Sequence, residues 1–511
     1  MMILNSKKTL MTLVIASLPF AASAKSINVT ESWRYWHSGT ENIQLKDSAE
    51  IVSFDSLSNN IYVTSSKGQK LDVLNPVTGA KISSVDLSAY GSPNSVATYG
   101  GIVAVAVEAD TKTDPGQVIF FNASTGAFQK AITVGALPDM LTFAKDGKNL
   151  IVANEGESKK GIDPEGSVSI IDMSNGVSNA TVSTAGFSSF NSQRTTLKEN
   201  GVRIFDSAGS VAQDLEPEYI ATAGGKAYVT LQENNSLAIV DIATNTVTDI
   251  ISFGTKDHSL PGNGLDASDK QDEGNIQNYN LKGLYQPDAI SAYEIAGETY
   301  LVTANEGDSR KEDVRMSKAN LDPSVSLIED GRIKISSIDG DIDGDGDIDV
   351  PYSYGARSFS IWDDQGQQLF DSGDFLEQLT IDAGTFIETR SDNKGPEPEG
   401  IALGFFDDMF LAFVGLERAG GIAIFDITNP NSPSFLDYIF NDMDIAPEGL
   451  TFISEDESND GFAFLLVSNE KSGTTTRYNI SAVPIPAALF MFAPALAGFI
   501  GLRRKAKSII N

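Results

Sequence analysis

The sequence contains no cysteine and only two histidines, His37 and His258. The absence of cysteine excludes disulfides, thiolate chemistry and cysteine-based zinc sites. Two histidines are too few for a multi-histidine metal centre, and a Ser-His-Asp triad could use only one of them. Stability must therefore come from core packing, with bound calcium as a further candidate contribution.

Positive charge is also scarce. The 511 residues include 37 Lys and Arg against 69 Asp and Glu, which gives a formal net charge of -32. This balance disfavours nucleic acid and anionic membrane surfaces as partners, whereas divalent cations suit it. The length is sufficient for one large β domain with appendages.

The two ends of the chain carry short apolar runs. Residues 1–24 have the pattern of a signal peptide, because Lys7 and Lys8 precede an apolar core and a small-residue cleavage site at Ala22-Ser23-Ala24. This run is too short for a membrane anchor, so we expect export. Residues 483–511 form a second apolar run, marginal for a membrane span, with a basic end that favours retention on the cytoplasmic side.

Between these ends, residues 25–482 repeat two signatures. One is a β-branched apolar run that ends in Asn-Glu or a related pair, as in Leu301-Val-Thr-Ala-Asn-Glu306. The other precedes it and is Pro followed by an acid; its clear copies are Pro138-Asp139, Pro217-Glu218, Pro287-Asp288, Pro398-Glu399 and Pro447-Glu448. With the weaker copies at Pro93-Asn94 and Glu50-Ile51 there are seven units, at roughly 45 to 50 residues where nothing is inserted, a period typical of propeller blades.

The pattern predicts an all-β protein, a seven-bladed β-propeller with long loop insertions on one face, plus an N-terminal signal helix and a C-terminal hydrophobic helix. We expect the insertions near residues 158–213, 254–282 and 307–396. Because the two signatures recur around a pseudo-axis, they should place carboxylates on one rim of the central channel, where cations would offset their repulsion. Alternatively, the pairs only form turns and strand-end hydrogen bonds, with solvated acids.

The third insertion contains an acidic run from Asp339 to Asp349. Its spacing fits the first nine positions of an EF-hand-type calcium loop, with Gly346 at the sixth position for the sharp turn. Tyr352 stands where the usual bidentate Glu is expected, so a nearby acid would have to substitute. The predicted ligands are Asp341, Asp343, Asp345, Asp347 (through its backbone carbonyl) and Asp349, with Ile348 pinning the loop to the core.

The tail resembles a PEP-CTERM-type sorting signal: the short motif Val483-Pro-Ile-Pro-Ala487, a hydrophobic helix and an Arg-rich end. The resemblance implies processing by an exosortase and transfer to the surface or matrix of a Gram-negative bacterium. The motif lacks its Glu, so an uncleaved membrane anchor stays open, and contact with the membrane is at least transient.

The body resembles the choice-of-anchor I family of bacterial surface proteins from about residue 40 to 480. The resembling segments are Gln213-Asp-Leu-Glu-Pro-Glu-Tyr219, Val229-Thr-Leu-Gln-Glu-Asn234, Lys256-Asp-His-Ser-Leu-Pro-Gly-Asn-Gly264, Tyr285-Gln-Pro-Asp-Ala289, Thr303-Ala-Asn-Glu-Gly-Asp308, Arg357-Ser-Phe-Ser-Ile-Trp362 and Lys394-Gly-Pro-Glu-Pro-Glu-Gly400. Members are similar to phytase-like and esterase-like propellers, so the resemblance implies the fold more firmly than a reaction.

Two functions stay open. The first is a non-catalytic surface or matrix platform that holds structural calcium and binds glycans or proteins. The second is a calcium-dependent phosphoesterase in which metals polarise a phosphoryl oxygen and activate water. Its predicted metal-facing residues are Glu155, Glu218, Glu233, Asp288, Glu306, Asp308, Glu399, Glu417, Glu448 and Glu470. Its predicted catalytic residues are Arg310 and Lys394 as phosphate clamps and His258 as general acid.

Overall fold

The computed structural model describes residues 26–205, 209–270 and 274–483. The predicted signal peptide and nearly all of the predicted C-terminal sorting signal lie outside these ranges. Among the described residues, no helix has the length and apolar character needed to cross a membrane.

Strands dominate the described chain. In chain order they are β1 (Ile27–Trp36), β2 (Val52–Asp55), β3 (Asn60–Ser65), β4 (Lys70–Leu74), β5 (Lys81–Asp86), β6 (Ser92–Tyr99), β7 (Ile102–Glu108), β8 (Pro115–Asn122), β9 (Phe128–Ala136), β10 (Pro138–Phe143), β11 (Asn149–Asn154), β12 (Ser167–Asp172), β13 (Thr181–Gly186), β14 (Ile220–Ala223), β15 (Lys226–Leu231), β16 (Ser236–Asp241), β17 (Thr246–Ser252), β18 (Thr255–Asp257), β19 (Lys282–Leu284), β20 (Ile290–Ile295), β21 (Glu298–Asn305), β22 (Asp313–Arg315), β23 (Lys334–Ser336), β24 (Tyr352–Ser353), β25 (Ser358–Asp363), β26 (Gln368–Asp371), β27 (Pro398–Phe406), β28 (Met409–Leu416), β29 (Ile422–Asp426), β30 (Ser434–Ile439), β31 (Pro447–Ile453), β32 (Ala463–Asn469) and β33 (Thr474–Ala482). The α-helices are α1 (Arg194–Glu199), α2 (Val211–Asp214) and α3 (Phe375–Ala383), and 3-10 turns lie at Val177–Asn179, Ser188–Gln193, Met316–Lys318, Glu329–Gly331 and Glu388–Arg390.

Seven four-stranded sheets form the blades of the predicted propeller. Blades one to four are β2–β5, β6–β9, β10–β13 and β14–β17, blade five is β20-β21-β25-β26, and blade six is β27–β30. Blade seven has the order β1-β33-β32-β31, so the N-terminal strand lies beside the last strand of the chain and closes the ring. Apart from the outermost residues of β1 and β33, the seven sheets lie within one compact unit, Val29–Ser481.

The first strand of every blade lines a central channel. A cavity of about 480 Å³ is bordered by residues from β2, β6, β10, β14, β20, β27 and β31, or from positions next to them. The second and third strands lie between neighbouring blades and are therefore buried on both faces. Their sequences are accordingly near-continuous apolar runs, such as Ile102-Val-Ala-Val-Ala-Val-Glu108, in which the five central residues are buried.

The insertions are shorter than predicted. β12 and β13 lie within residues 158–213 but complete blade three, because the apolar run Ser167–Asp172 pairs along its whole length with β11. Likewise β25 and β26 lie within residues 307–396 and complete blade five. The segments that leave the blades in these two regions are residues 155–166, 187–219, 306–357 and 372–397. A small sheet, β18-β19-β24, joins the second and third insertions.

A buried network of charged and polar side chains links the first and last strands of the chain in blade seven. Asp444 accepts two hydrogen bonds from Arg34 of β1, at 2.8 and 2.9 Å, and further ones from Thr476 and Tyr478 of β33. These contacts tie the N-terminal strand to the C-terminal one, so the ring closure depends on an ion pair as well as on the backbone ladder.

Candidate metal centre at the channel mouth

The two repeated signatures of a blade meet at one rim because its first two strands are antiparallel. In blade three Pro138 pairs with Asn154, and in blade seven Pro447 pairs with Asn469. The acid after each proline therefore lies near the acid that ends the second strand. The strand arrangement thus produces the acidic rim that the repeat predicts.

The asparagine of the second signature is a structural residue. Asn305 is fully buried; its amide donates to the hydroxyls of Ser358 and Ser360 at 3.2 and 2.8 Å, and its oxygen accepts from Thr303. The amide of Asn154 likewise donates to the hydroxyls of Ser167 and Ser169, at 3.3 and 3.0 Å. The asparagine of the pair therefore forms strand-end hydrogen bonds, as the alternative interpretation of the repeat predicts.

The proline signature is held by an unusual backbone turn. The residue before the proline has a positive φ in four blades: Leu137 (49°), Gln286 (42°), Glu397 (53°) and Ala446 (62°). In three of these blades its carbonyl accepts the amide of the second signature's acid, as in Glu155 to Leu137 at 2.9 Å. Such turns cost of order 1–3 kcal/mol each and persist only where the surroundings enforce them. The turns therefore fix the backbone positions from which the side chains of the paired acids extend.

Seven carboxylates from five blades surround a polar cavity of about 270 Å³ at this end of the channel. They are Asp139, Glu155, Glu218, Asp288, Glu306, Glu399 and Glu448. Blades one and two contribute Ile51, Asn94 and Ser95 instead. These are the two blades whose signature copies are weak in the sequence, so the repeat pattern also locates the non-acidic side of the mouth.

Three of these acids, Asp288, Glu306 and Glu399, each place one carboxylate oxygen within 4.8 Å of the others. Oε2 of Glu399 is buried with no hydrogen-bond partner among the described residues. Glu306 receives Lys394 on Oε1 and the amide of Gln232 on Oε2, at 3.2 Å. Each of its oxygens keeps a second lone pair, so the group still offers hard oxygen ligands of the kind that calcium prefers.

Burial, followed by neighbouring carboxylates, opposes ionisation of these acids. The pKa of Glu306 is raised to about 7 by burial, against the opposing effect of Lys394. Burial and the acids around them raise the pKa of Glu399 and of Glu448 well above the usual range, and their strongest charged neighbours are all carboxylates. Burial likewise raises the pKa of Asp139 to about 6. A bound cation would remove this opposition, since it favours the ionised form.

A second acidic group, Glu306 with Glu397 and Glu417, is less suited to a metal. Glu397 is contacted by Arg390, Arg418 and Lys394, the last two at 3.2 and 3.5 Å. Arg418 and Lys471 contact Glu417. Because basic side chains already compensate Glu397 and Glu417, the group of Asp288, Glu306 and Glu399 is the better candidate for a metal.

The predicted phosphate clamps are both engaged by acids. Arg310 contacts Asp214 at 3.1 Å and also Glu216, and its guanidinium lies 4.5 Å over the ring of Phe205. Lys394 contacts Glu306 and the carbonyl of Gly307. Neighbouring carboxylates therefore partly neutralise both side chains, which weakens their attraction for a phosphate.

His258 is buried in the second insertion. Its Nδ1 lies 2.7 Å from the carbonyl of Asn263, and its Nε2 has no hydrogen-bond partner among the described residues. Burial and the nearby Lys256 lower the pKa of His258 to about 3, so the ring is neutral at physiological pH. None of its described contacts is with an acid of the rim, and a general-acid role stays a prediction.

The remaining predicted rim residues lie toward the edges of the mouth. Glu233 and Asp308 line a side pocket next to the channel cavity. Glu470 contacts Lys46 at 3.3 Å and is partly exposed. Sequence reasoning omitted Asp139, a carboxylate of the channel cavity, from the metal-facing set, although it stands in a clear copy of the Pro-acid signature.

The Asp-rich loop forms two acidic groups. Asp341, Asp343 and Asp349 lie within 4.8 Å of one another, and so do Asp322, Asp347 and Asp349. Asp322 is thus a candidate for the nearby acid that would substitute for the missing Glu, and no motif in the sequence indicated it. The side chain of Asp347 belongs to the second group, whereas that of Asp345 belongs to neither; the predicted role of the Asp347 carbonyl stays a prediction.

Ile348 does attach the loop to a small apolar cluster, as predicted. It is 7% exposed and pairs with Leu321 in a parallel bridge. This bridge explains how Asp322, far away in the sequence, reaches the loop: its amide donates to the carbonyl of Ile348 at 3.1 Å.

Comparison with known proteins defines the class. The choice-of-anchor I domain matches residues 50–430, so this chain belongs to that family. Gigasin-3a from Magallana gigas is 24% identical over 189 residues, which are 30% of this chain and 66% of the relative. The chain thus matches just under two thirds of the length of that relative.

Solved structures with a similar fold share little sequence. Kuenenia stuttgartiensis hydrazine synthase has a TM-score of 0.47 at 13% identity, covering 88% of this chain and 99% of that chain. The β-propeller domain of Myceliophteria thermophila Cps50 (Swd1) has a TM-score of 0.43 at 8% identity, covering 89% and 100%. The fold rests on the sheet topology described above. Together, the fold and the family define a surface-associated β-propeller, and the family indicates an exported or cell-surface protein.

Proposed function

We propose that this protein is a calcium-binding surface platform, a rigid propeller that holds Ca²⁺ at the acidic channel mouth and in the Asp-rich loop and binds glycans or proteins without catalysis. The observation that carries the proposal is the convergence of Asp288, Glu306 and Glu399 within 4.8 Å, with a single basic residue, Lys394, in contact with any of them in the described chain. Three carboxylates at this spacing are suitable oxygen ligands for calcium. Without a metal, their mutual repulsion would destabilise the ionised cluster. On this proposal, the predicted C-terminal sorting signal keeps the protein at the cell surface.

The engagement of Arg310 and Lys394 supports a platform over an enzyme. A phosphoryl-transfer site needs positive groups that face the developing charge, whereas both side chains here compensate buried acids. His258 would also have to leave a buried position to donate a proton to substrate.

One observation favours phosphoester hydrolysis as a second candidate. The side pocket shares Glu155 and Glu218 with the channel cavity, and the Nε of Arg310, which also lines this pocket, is buried without a hydrogen-bond partner. A phosphate bound there would lie next to the proposed metal. In that case the metal would supply Lewis-acid activation of a phosphoryl oxygen, and Arg310 would orient the phosphate.

The test is a calcium titration by calorimetry, with Asp288→Asn/Glu399→Gln beside the wild type and Glu157→Gln as control, since Glu157 is an exposed acid of the same rim region. We expect the double variant to lose one calcium equivalent while the control keeps it. Unchanged stoichiometry in the double variant would refute the channel site. Turnover of a phosphomonoester or phosphodiester that requires calcium and disappears in the double variant would replace the platform with the enzyme.

A further inference from the structure

A side pocket of about 760 Å³ adjoins the channel mouth. Its wall is formed by the loop after β11, the segment before β14, the end of β15 and the start of the third insertion. Glu155, Glu218 and Gln232 line both this pocket and the channel cavity, so the two spaces share a wall. The proposed channel group of Asp288, Glu306 and Glu399 lies outside the pocket lining.

Two carboxylates in this wall are buried and incompletely bonded. Glu218 is 9% exposed and Glu233 is 7% exposed, and Oε2 of each is buried with no hydrogen-bond partner among the described residues. Both come from blade four, Glu218 from the Pro-acid signature ahead of β14 and Glu233 from the position after Gln232, beyond the end of β15. Leaving a buried carboxylate oxygen without a partner is unfavourable, so two such atoms in one pocket wall indicate a ligand.

The charge of the pocket identifies the class of that ligand. Nine acidic residues line it against two basic ones, Arg310 and Lys311. Arg310 is already in contact with Asp214 and Glu216, and its nearest approach to Oε2 of Glu233 is 3.9 Å, too long for a hydrogen bond. A neutral or anionic ligand would leave this excess of negative charge in place, whereas a divalent cation reduces it.

We propose that Glu218 and Glu233 hold a second divalent cation, of the calcium type, separate from the ion at Asp288, Glu306 and Glu399. Glu155 lines the same shared wall. The remaining coordination positions face the side pocket and take water or the oxygens of a bound ligand. The site does not require the channel ion, because it uses no residue of the channel group.

The experiment counts calcium equivalents on the whole protein by calorimetry and native mass spectrometry. All variants carry Asp341→Asn, Asp343→Asn and Asp349→Asn, which remove the contribution of the Asp-rich loop. In this background we expect Glu218→Gln/Glu233→Gln to lose one equivalent and to keep the channel ion. Asp288→Asn/Glu399→Gln should lose the other equivalent, and Glu157→Gln, an exposed acid that lines the same pocket, should lose none.

Full stoichiometry in Glu218→Gln/Glu233→Gln would overturn the inference. Loss of both equivalents in that variant would also overturn it, because the two sites would then be one. If the double variant does not fold, Glu233→Asp takes its place: its shorter side chain should weaken one calcium equivalent at least tenfold, and unchanged affinity would contradict the site. If only the channel site is wrong, Asp288→Asn/Glu399→Gln will retain its calcium. This result distinguishes refutation of the channel site from refutation of the second site.

Discussion

Glu306 should make the calcium-free protein less stable as the pH rises. Its pKa is about 7 in the folded protein, through burial opposed by Lys394, against an ordinary value of 4.5. Between these values the unfolded chain releases the proton while the folded protein retains it, so the stabilisation present below pH 4.5 is lost as the pH rises through 7. A difference of about 2.5 pH units at about 1.4 kcal/mol per unit corresponds to about 3 kcal/mol.

The assay is urea unfolding at pH 5 and pH 8 of protein depleted of calcium on a chelating resin. Because other groups titrate over this range, the informative quantity is the difference between wild type and Glu306→Gln. Between pH 5 and pH 8 we expect the wild type to lose about 2.5 kcal/mol more than the variant, and excess calcium to reduce that loss because it holds the ionised carboxylate. Glu157→Gln, at an exposed position, should behave as the wild type. Identical pH dependence in wild type and Glu306→Gln would refute the reasoning.

Three further predictions concern other parts of the molecule. Asp444→Ala leaves the buried guanidinium of Arg34 without its main partner, so we expect a loss of about 3–5 kcal/mol in urea unfolding and opening of blade seven to proteolysis; unchanged stability would contradict the proposed closure. Asp349→Asn removes the acid common to both groups of the Asp-rich loop, and should abolish calcium binding there while the channel ion remains, as counted by calorimetry. Asn305→Ala removes a buried amide with three hydrogen bonds and should cost about 1–3 kcal/mol of stability without changing the calcium stoichiometry, whereas a lost equivalent would assign the asparagine to the metal site.

The sequence predicted the propeller and the position of the acidic rim because both follow from local rules. Short β-branched runs predict the strands, and antiparallel pairing of consecutive strands brings Pro138 to Asn154 without any further information. The weak copy at Pro93-Asn94 even marked a blade that lacks an acid in the cavity. In the same way, the EF-hand spacing identified Asp341, Asp343 and Asp349 as a group.

The sequence did not predict contacts that cross between insertions. Lys394 follows Glu306 by 88 residues, and their contact depends on how the third insertion folds back over the rim. Asp322 joins the Asp-rich loop only through the bridge between Leu321 and Ile348. The extents of the insertions were overestimated for a related reason, since the strands β12 and β25 follow long irregular segments and the repeat period no longer locates them.

The most direct test of the proposed channel site is a crystal structure from crystals grown with calcium, in which anomalous scattering locates the ions. The proposal predicts a calcium peak at the channel mouth, about 2.3–2.6 Å from oxygens of Asp288, Glu306 and Glu399. A crystal in which the Asp-rich loop carries calcium but the channel mouth shows no such peak would contradict it.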